Sequence, residues 1–236
     1  MGTKAQVMSQ PMVQLAHVSK SFHRDGVTKH ILHDICFDLP PDRNIAILGR
    51  NGAGKSTLMR MIAGTLLPDR GHILRWRRVS WPMGFSGSFH PALTGAQNTR
   101  FVARIYGRDT AQLEDYVQGF AEIGAFYHLP VSTYSSGMKA RLAFALSMGV
   151  DFDVYLVDEV IGVGDTNFRR KCAQAFRQRM DRARVLMISH SAATLRQFCD
   201  AGLVIENGRL TYFNNIDAAI EAHEMNLAPS LFSYRA

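Results

Sequence analysis

Residues 49–57 read Gly49-Arg50-Asn51-Gly52-Ala53-Gly54-Lys55-Ser56-Thr57, a Gly-x4-Gly-Lys-Ser pattern. Before it runs the apolar stretch Ile45-Ala46-Ile47-Leu48, and after it the apolar-periodic stretch Leu58-Met59-Arg60-Met61-Ile62-Ala63. A strand, a glycine turn and a helix in that order form a cradle for phosphate. The glycines let backbone N–H groups point inward, and the helix N-terminus adds partial positive charge. Lys55 has the reach to bond the outer phosphates of a nucleoside triphosphate, and the Ser56 hydroxyl can ligate Mg²⁺.

Three further segments fit the same chemistry. Val154-Tyr155-Leu156-Val157-Asp158-Glu159 is an apolar strand ending in paired carboxylates. Asp158 at such a strand end supports Mg²⁺, and Glu159 beside it can polarise an attacking water, which favours hydrolysis over simple binding. Asp165 closes Gly162-Val163-Gly164-Asp165, and His190 follows the apolar run ending at Met187-Ile188. At a strand end, His190 can donate a hydrogen bond to a terminal phosphate. The sequence holds no Asn/Thr-Lys-x-Asp guanine motif, so ATP is favoured over GTP. Phe22, beside Lys20 and His23, reads either as an aromatic on an exposed strand edge or as strand core.

The elements that must position these groups are legible in outline. Residues 12–48 alternate as β structure with a turn at Asp25-Gly26, and Pro68-Asp69-Arg70-Gly71 turns into a strand at 72–76. From about Thr94 the period becomes helical. Thr94-Gly95-Ala96-Gln97 has the form of a capping box, and a second helix is expected over 109–123 with Leu113, Tyr116, Val117 and Phe120 on one face. Strands are expected again at 154–157, 185–189 and 203–206, then an Asn207-Gly208 hairpin into 209–213, a helix over 217–225 and a loose stretch over 229–236. The fold class is therefore α/β, with an N-terminal antiparallel β part and an inserted helical subdomain.

At 236 residues and 47% hydrophobic content the chain has ample core. Cys36, Cys172 and Cys199 match no disulfide framework or zinc spacing, which points to a reducing compartment. No secretion signal or apolar run long enough for a bilayer is evident. The net charge of +7 suits an anionic ligand. Arginine clusters occur at Arg75, Arg77 and Arg78 and again from Arg169 to Arg184. The second group reads as a solvated helix face, because no aromatic residues alternate with it for stacking on bases; no nucleic-acid partner is expected.

Thr133-Tyr134-Ser135-Ser136-Gly137-Met138-Lys139 precedes a helix of small and large apolar residues, and by itself is a serine-capped helix start. Taken with the rest, it resembles the signature of ATP-binding cassette proteins, with Tyr-Ser-Ser-Gly-Met where Leu-Ser-Gly-Gly-Gln is usual. The order of phosphate loop, helical insert, signature, carboxylate strand, Asp165 loop and switch histidine matches over nearly the whole chain. The stretches Ile47 to Lys55, Val79 to Phe85, Tyr134 to Lys139 and Val157 to Val160 are similar to ATPase subunits that export capsular polysaccharide in Gram-negative bacteria. Cousins export O-antigen or teichoic acid, some with an added carbohydrate-binding domain for which this chain leaves no length.

The resemblance implies one P-loop NTPase domain over 12–236, with a core lobe of about 12–90 and 151–236 and a helical subdomain of about 91–150. It implies a homodimer that sandwiches two ATP and Mg²⁺. Gly49 to Thr57 would hold phosphates and Ser56 and Asp158 the metal. Ser135, Ser136, Gly137 and Met138 would reach the γ-phosphate of the second copy, with Asp165 linking the halves. Lys55, Glu159 and His190 would be catalytic and Phe22 would stack on adenine. It also implies a polytopic permease subunit, periplasmic and outer-membrane components, and a place on the cytoplasmic face of the inner membrane. One departure is that residues 84–91 contain no glutamine, which the family usually carries there; Ser86, Ser88 and His90 are the available substitutes. Trp81, Phe85, Phe89 and Phe101 are candidates either for permease contact or for insert core. A soluble cassette ATPase acting on DNA or ribosomes is the rival reading.

Overall fold

A computed structural model describes residues 10–83, 89–158 and 164–227. Ser86, Ser88 and Phe85 of the glutamine-less segment, Glu159, and the 229–236 stretch lie outside the described residues. The chain divides into two compact units, residues 1–79 with 184–236 and residues 80–183.

The first unit holds two groups of strands. Strands β1 (Val13–Arg24) and β2 (Val27–Leu39) pair antiparallel across the turn, where Asp25 and Gly26 both take left-handed backbone. Strand β4 (Arg70–Arg75) flanks the other edge of β1, giving the order β2-β1-β4. The expected start at residue 72 comes two residues early. Strand β3 (Ile45–Leu48) lies parallel to both β7 (Arg184–Ile188) and β8 (Ala201–Glu206), and β9 (Arg209–Phe213) turns back antiparallel at Asn207-Gly208. All four residues of β3 are buried, as the unbroken apolar run of a doubly covered parallel strand requires. Helices α1 (Lys55–Ala63), α6 (Ala192–Phe198) and α7 (Ile216–Leu227) complete this unit.

Arg75 is not part of an anion-binding patch. Although the residue is exposed, its Nε and Nη2 donate to the carbonyls of Ile62 (2.6 Å) and Met61 (2.5 Å) at the end of α1. A cation there satisfies orphan carbonyls and opposes the negative end of the helix dipole.

The second unit carries the helices expected over 91–150, with strands β5 (Val79–Met83) and β6 (Val154–Asp158) and helix α5 (Thr166–Met180). Helix α2 (Gly95–Ile105) starts with the predicted capping box: Thr94 Oγ1 accepts from Gln97 N and Gln97 Oε1 from Thr94 N. Helix α3 (Thr110–Ala121) is capped by Asp109. Sequence reading missed β5 as a strand, and missed the two short 3-10 turns at Gly124–His128 and Val131–Thr133. Helix α4 (Ser136–Gly149) buries every residue from Leu142 to Met148, so it is the apolar centre of its unit. Phe120 stacks on Phe144 and meets Phe168 edge-on, tying α3, α4 and α5 together. Trp81 is half-buried and packs with Tyr106 and Phe152 at centroid distances of 5.1 to 5.4 Å, whereas Phe101 is 60% exposed.

Candidate functional site

The 49–54 loop needs its glycines for physical reasons. Gly49 passes so close to β8 that a Cβ would stand 2.6 Å from the Ile205 carbonyl oxygen. Gly54, at φ 108°, is the N-cap of α1, and a Cβ there would meet Ile31 Cγ2 at 2.3 Å. No side chain caps α1, and its first turn holds no acidic residue. The first amides of the helix are therefore left for a ligand, and an anion is the group the dipole favours. Lys55 Nζ donates to the carbonyls of Gly49 (2.7 Å) and Arg50 (3.2 Å), which holds its charge against the loop. Arg50, Asn51, Gly52 and Ser56 are exposed, and Ala53 and Thr57 are half-buried. An exposed Ser56 hydroxyl on the first turn is a suitable donor for a hard divalent ion.

Two cavities border this loop. One, of about 200 Å³, is lined by Gly49, Lys55, Ser189, His190 and His223 among others, so the structure brings Lys55 and His190 to one place. The other, of about 250 Å³, is lined by Lys29, Arg50 to Ala53, Glu206 to Gly208, His223 and Asn226. Sequence reading missed Lys29, His223 and Asn226 altogether. They belong to no motif and approach the loop only because β2 and α7 fold over it. His223 lines both cavities. Burial, followed by the charge of Lys55, holds its imidazole below the usual histidine range.

Phe22 on β1 is 44% exposed, with Lys20 Nζ 5.5 Å from its ring centre. It is not core. Lys20 is itself anchored to Asp69 at 2.6 Å, and Asp69 also accepts from Ser21 N.

In the second unit, Asp158 is the half-buried last residue of β6. Buried Ser80 holds that strand by accepting from Leu156 N at 2.9 Å. Ser135 is the N-cap of α4, its Oγ accepting from Met138 N at 3.2 Å. Ser136 and Gly137 are exposed and Met138 is half-buried. A Cβ on Gly137 would have only Ser135 Oγ, at 3.9 Å, within reach, so the chain's own packing does not demand glycine there. Asp165 caps α5, accepting from Asn167 N and Phe168 N, and takes Arg141 Nη2 at 2.6 Å. The amide of Phe168 is the main cause, with the amide of Asn167 and the Arg141 charge, that holds its carboxyl below the usual range.

An open helix start behind a buried parallel strand, with a lysine on the glycine turn, defines a phosphate-loop nucleotide-binding fold. Solved structures agree on the fold. One described as the ATP-binding subunit of an ABC transporter matches at TM-score 0.74 with 20% identity, over 92% of this chain and 99% of the other. The chain belongs to the ABC transporter family, whose model matches residues 32–162. It is 46% identical to the capsule polysaccharide export ATP-binding protein CtrD of Neisseria meningitidis serogroup B, over 89% of this chain and 97% of that protein. It is 42% identical to the polysialic acid transport ATP-binding protein KpsT of Escherichia coli, over 91% and 97%. A third relative, ATP-binding protein BexA of Haemophilus influenzae, is 44% identical over 89% and 97%.

Proposed function

We propose that this chain is the ATP-hydrolysing subunit of an exporter of capsular polysaccharide. The supporting observation is the 42 to 46% identity, across nearly their full lengths, with relatives named for capsule or polysialic acid export. O-antigen and teichoic-acid export proteins match at 34% and 31%.

In this reading the domain spans 12–236, with a core lobe of 12–90 and 151–236 and a helical subdomain of 91–150. Two copies enclose two ATP. The amides of residues 49–57 hold phosphate from one side, and Ser135, Ser136, Gly137 and Met138 of the second copy approach the γ-phosphate. Lys55 leaves its loop carbonyls for phosphate oxygens, exchanging one acceptor set for a charged one. Ser56 and Asp158 would hold Mg²⁺, which would supply positive charge against the phosphates. Glu159 orients and deprotonates the attacking water, His190 donates to the charged oxygen that develops, and Asp165 joins the two copies. Phe22 stacks on adenine. Working on the cytoplasmic face of the inner membrane, the closing and opening of the pair drive a separate polytopic permease that spans it, with periplasmic and outer-membrane components beyond. No described helix is long and apolar enough to cross a membrane, in keeping with a peripheral subunit.

The experiment is to co-express the chain with its permease and follow ATPase activity and capsule at the cell surface. Glu159→Gln should lower turnover by about 10²- to 10⁴-fold while ATP still binds, and surface capsule should vanish. Unaltered turnover would remove Glu159 from the mechanism. Normal capsule in a strain with that variant alone would refute the transport role.

A further inference from the structure

Away from the phosphate loop, the pairing of β1 with β2 is irregular on both sides of the Val18–Ile35 pair. His17 (φ 53°) and Asp34 (φ 49°) take left-handed backbone that non-glycine residues seldom adopt. Both residues and Cys36 are exposed, so no core packing requires them. His17 Nδ1 lies 2.9 Å from Asp34 Oδ1. The imidazole nitrogen, the carboxylate oxygen and Cys36 Sγ all stand within 4.8 Å of one another. The backbone N–H of His17 also donates to Cys36 Sγ at 3.3 Å.

We propose that His17, Asp34 and Cys36 form a binding site for a divalent ion of the zinc class, joining β1 to β2. Nitrogen, sulfur and oxygen donors together suit a borderline ion and not a hard one such as Mg²⁺ or Ca²⁺, which takes oxygen ligands. Three protein ligands at an exposed position leave water as the fourth. On loading, the Nδ1 proton moves to Nε2 and the thiol proton leaves to solvent. The N···O separation opens from 2.9 Å to about 3.3 Å, the edge of a tetrahedron with zinc bond lengths. The bound ion would fix the pairing of the two strands at their irregular point, on the same β1 that carries Phe22.

Cobalt is the probe, because tetrahedral thiolate ligation gives it an intense near-ultraviolet charge-transfer band. Cys172 and Cys199 are buried and their thiols are pushed up to about 12, so such a band reports Cys36. Full-length, reduced, metal-free protein should take up one Co²⁺ with that band, and Zn²⁺ should bleach it. Cys36→Ser should abolish the band. His17→Asn and Asp34→Asn, which tolerate the left-handed backbone, should weaken cobalt binding roughly tenfold or more. Melting of the metal-free protein and ATP hydrolysis should be unchanged in all three. Absence of the band in the wild type under cobalt excess, or its survival in Cys36→Ser, would overturn the site. Neither result bears on the phosphate loop.

Discussion

Helix α1 begins at Gly54 with no side chain bonded to its first amides, whereas α4 begins at Ser135, whose Oγ already takes the Met138 amide. The two starts face opposite demands. The open end of α1 is completed only by an outside acceptor, and its glycines are forced by contacts with Ile31 and Ile205 of its own unit. The capped end of α4 is complete in the free chain, yet it shows an exposed glycine, Gly137, that its own packing does not require. One end leaves its first amides without a side-chain cap, and the other is closed by its own serine while Gly137 stays uncovered.

The largest effect that would break this contrast is on Lys55. Lys55→Ala should weaken ATP binding at least tenfold, about 1.4 kcal/mol or more, as read by calorimetry, with folding intact. Equal affinity would mean that the open end is not the triphosphate site.

Gly54→Ala sharpens the steric half. A left-handed alanine costs about 1–2 kcal/mol, and the contact with Ile31 adds to it, so denaturant unfolding should show a loss beyond that range. Loss confined to ATP affinity, with stability unchanged, would show that the loop rearranges freely.

Smaller is the cap itself. Ser135→Ala and Thr94→Ala each remove an N-cap worth about 1 kcal/mol. Both should destabilise alike, but only Ser135→Ala should slow hydrolysis.

The smallest effect concerns acid. Asp165 has its carboxyl held below the usual range by the Phe168 amide foremost. Its contribution to stability is therefore present above the unfolded value, about 3.9, and is lost as pH falls through the lower folded value. The wild type should melt above Asp165→Asn at neutral pH, and the gap should narrow below about pH 4. A gap that widened in acid would reverse the assignment.

Much of this was open to sequence reading, for identifiable reasons. Asn207-Gly208 and the Thr94-Gln97 box are local devices whose geometry is encoded in a few adjacent residues. The phosphate loop is likewise contiguous, and Ser135 and Asp165 are caps of their own helices. What escaped was set by distant contacts. Arg75 looked like one of a basic cluster until its guanidinium was seen closing the end of α1. The left-handed positions of His17 and Asp34 flank the Val18–Ile35 pair; both residue types tolerate that backbone, but the strand register that calls for it is set by distant pairing. His223 reaches the loop only through the path of α7, which no spacing from Lys55 or His190 encodes.

The most direct measurement mixes two disabled proteins. Lys55→Ala ruins the open helix start, and Gly137→Asp blocks the approach over α4 without disturbing its own packing; each alone should be nearly inactive. If one copy's α4 serves the other copy's α1, pairs of unlike chains retain one complete site, and ATP hydrolysis of the mixture should rise well above the average of the two proteins. A mixture no more active than that average would contradict the account.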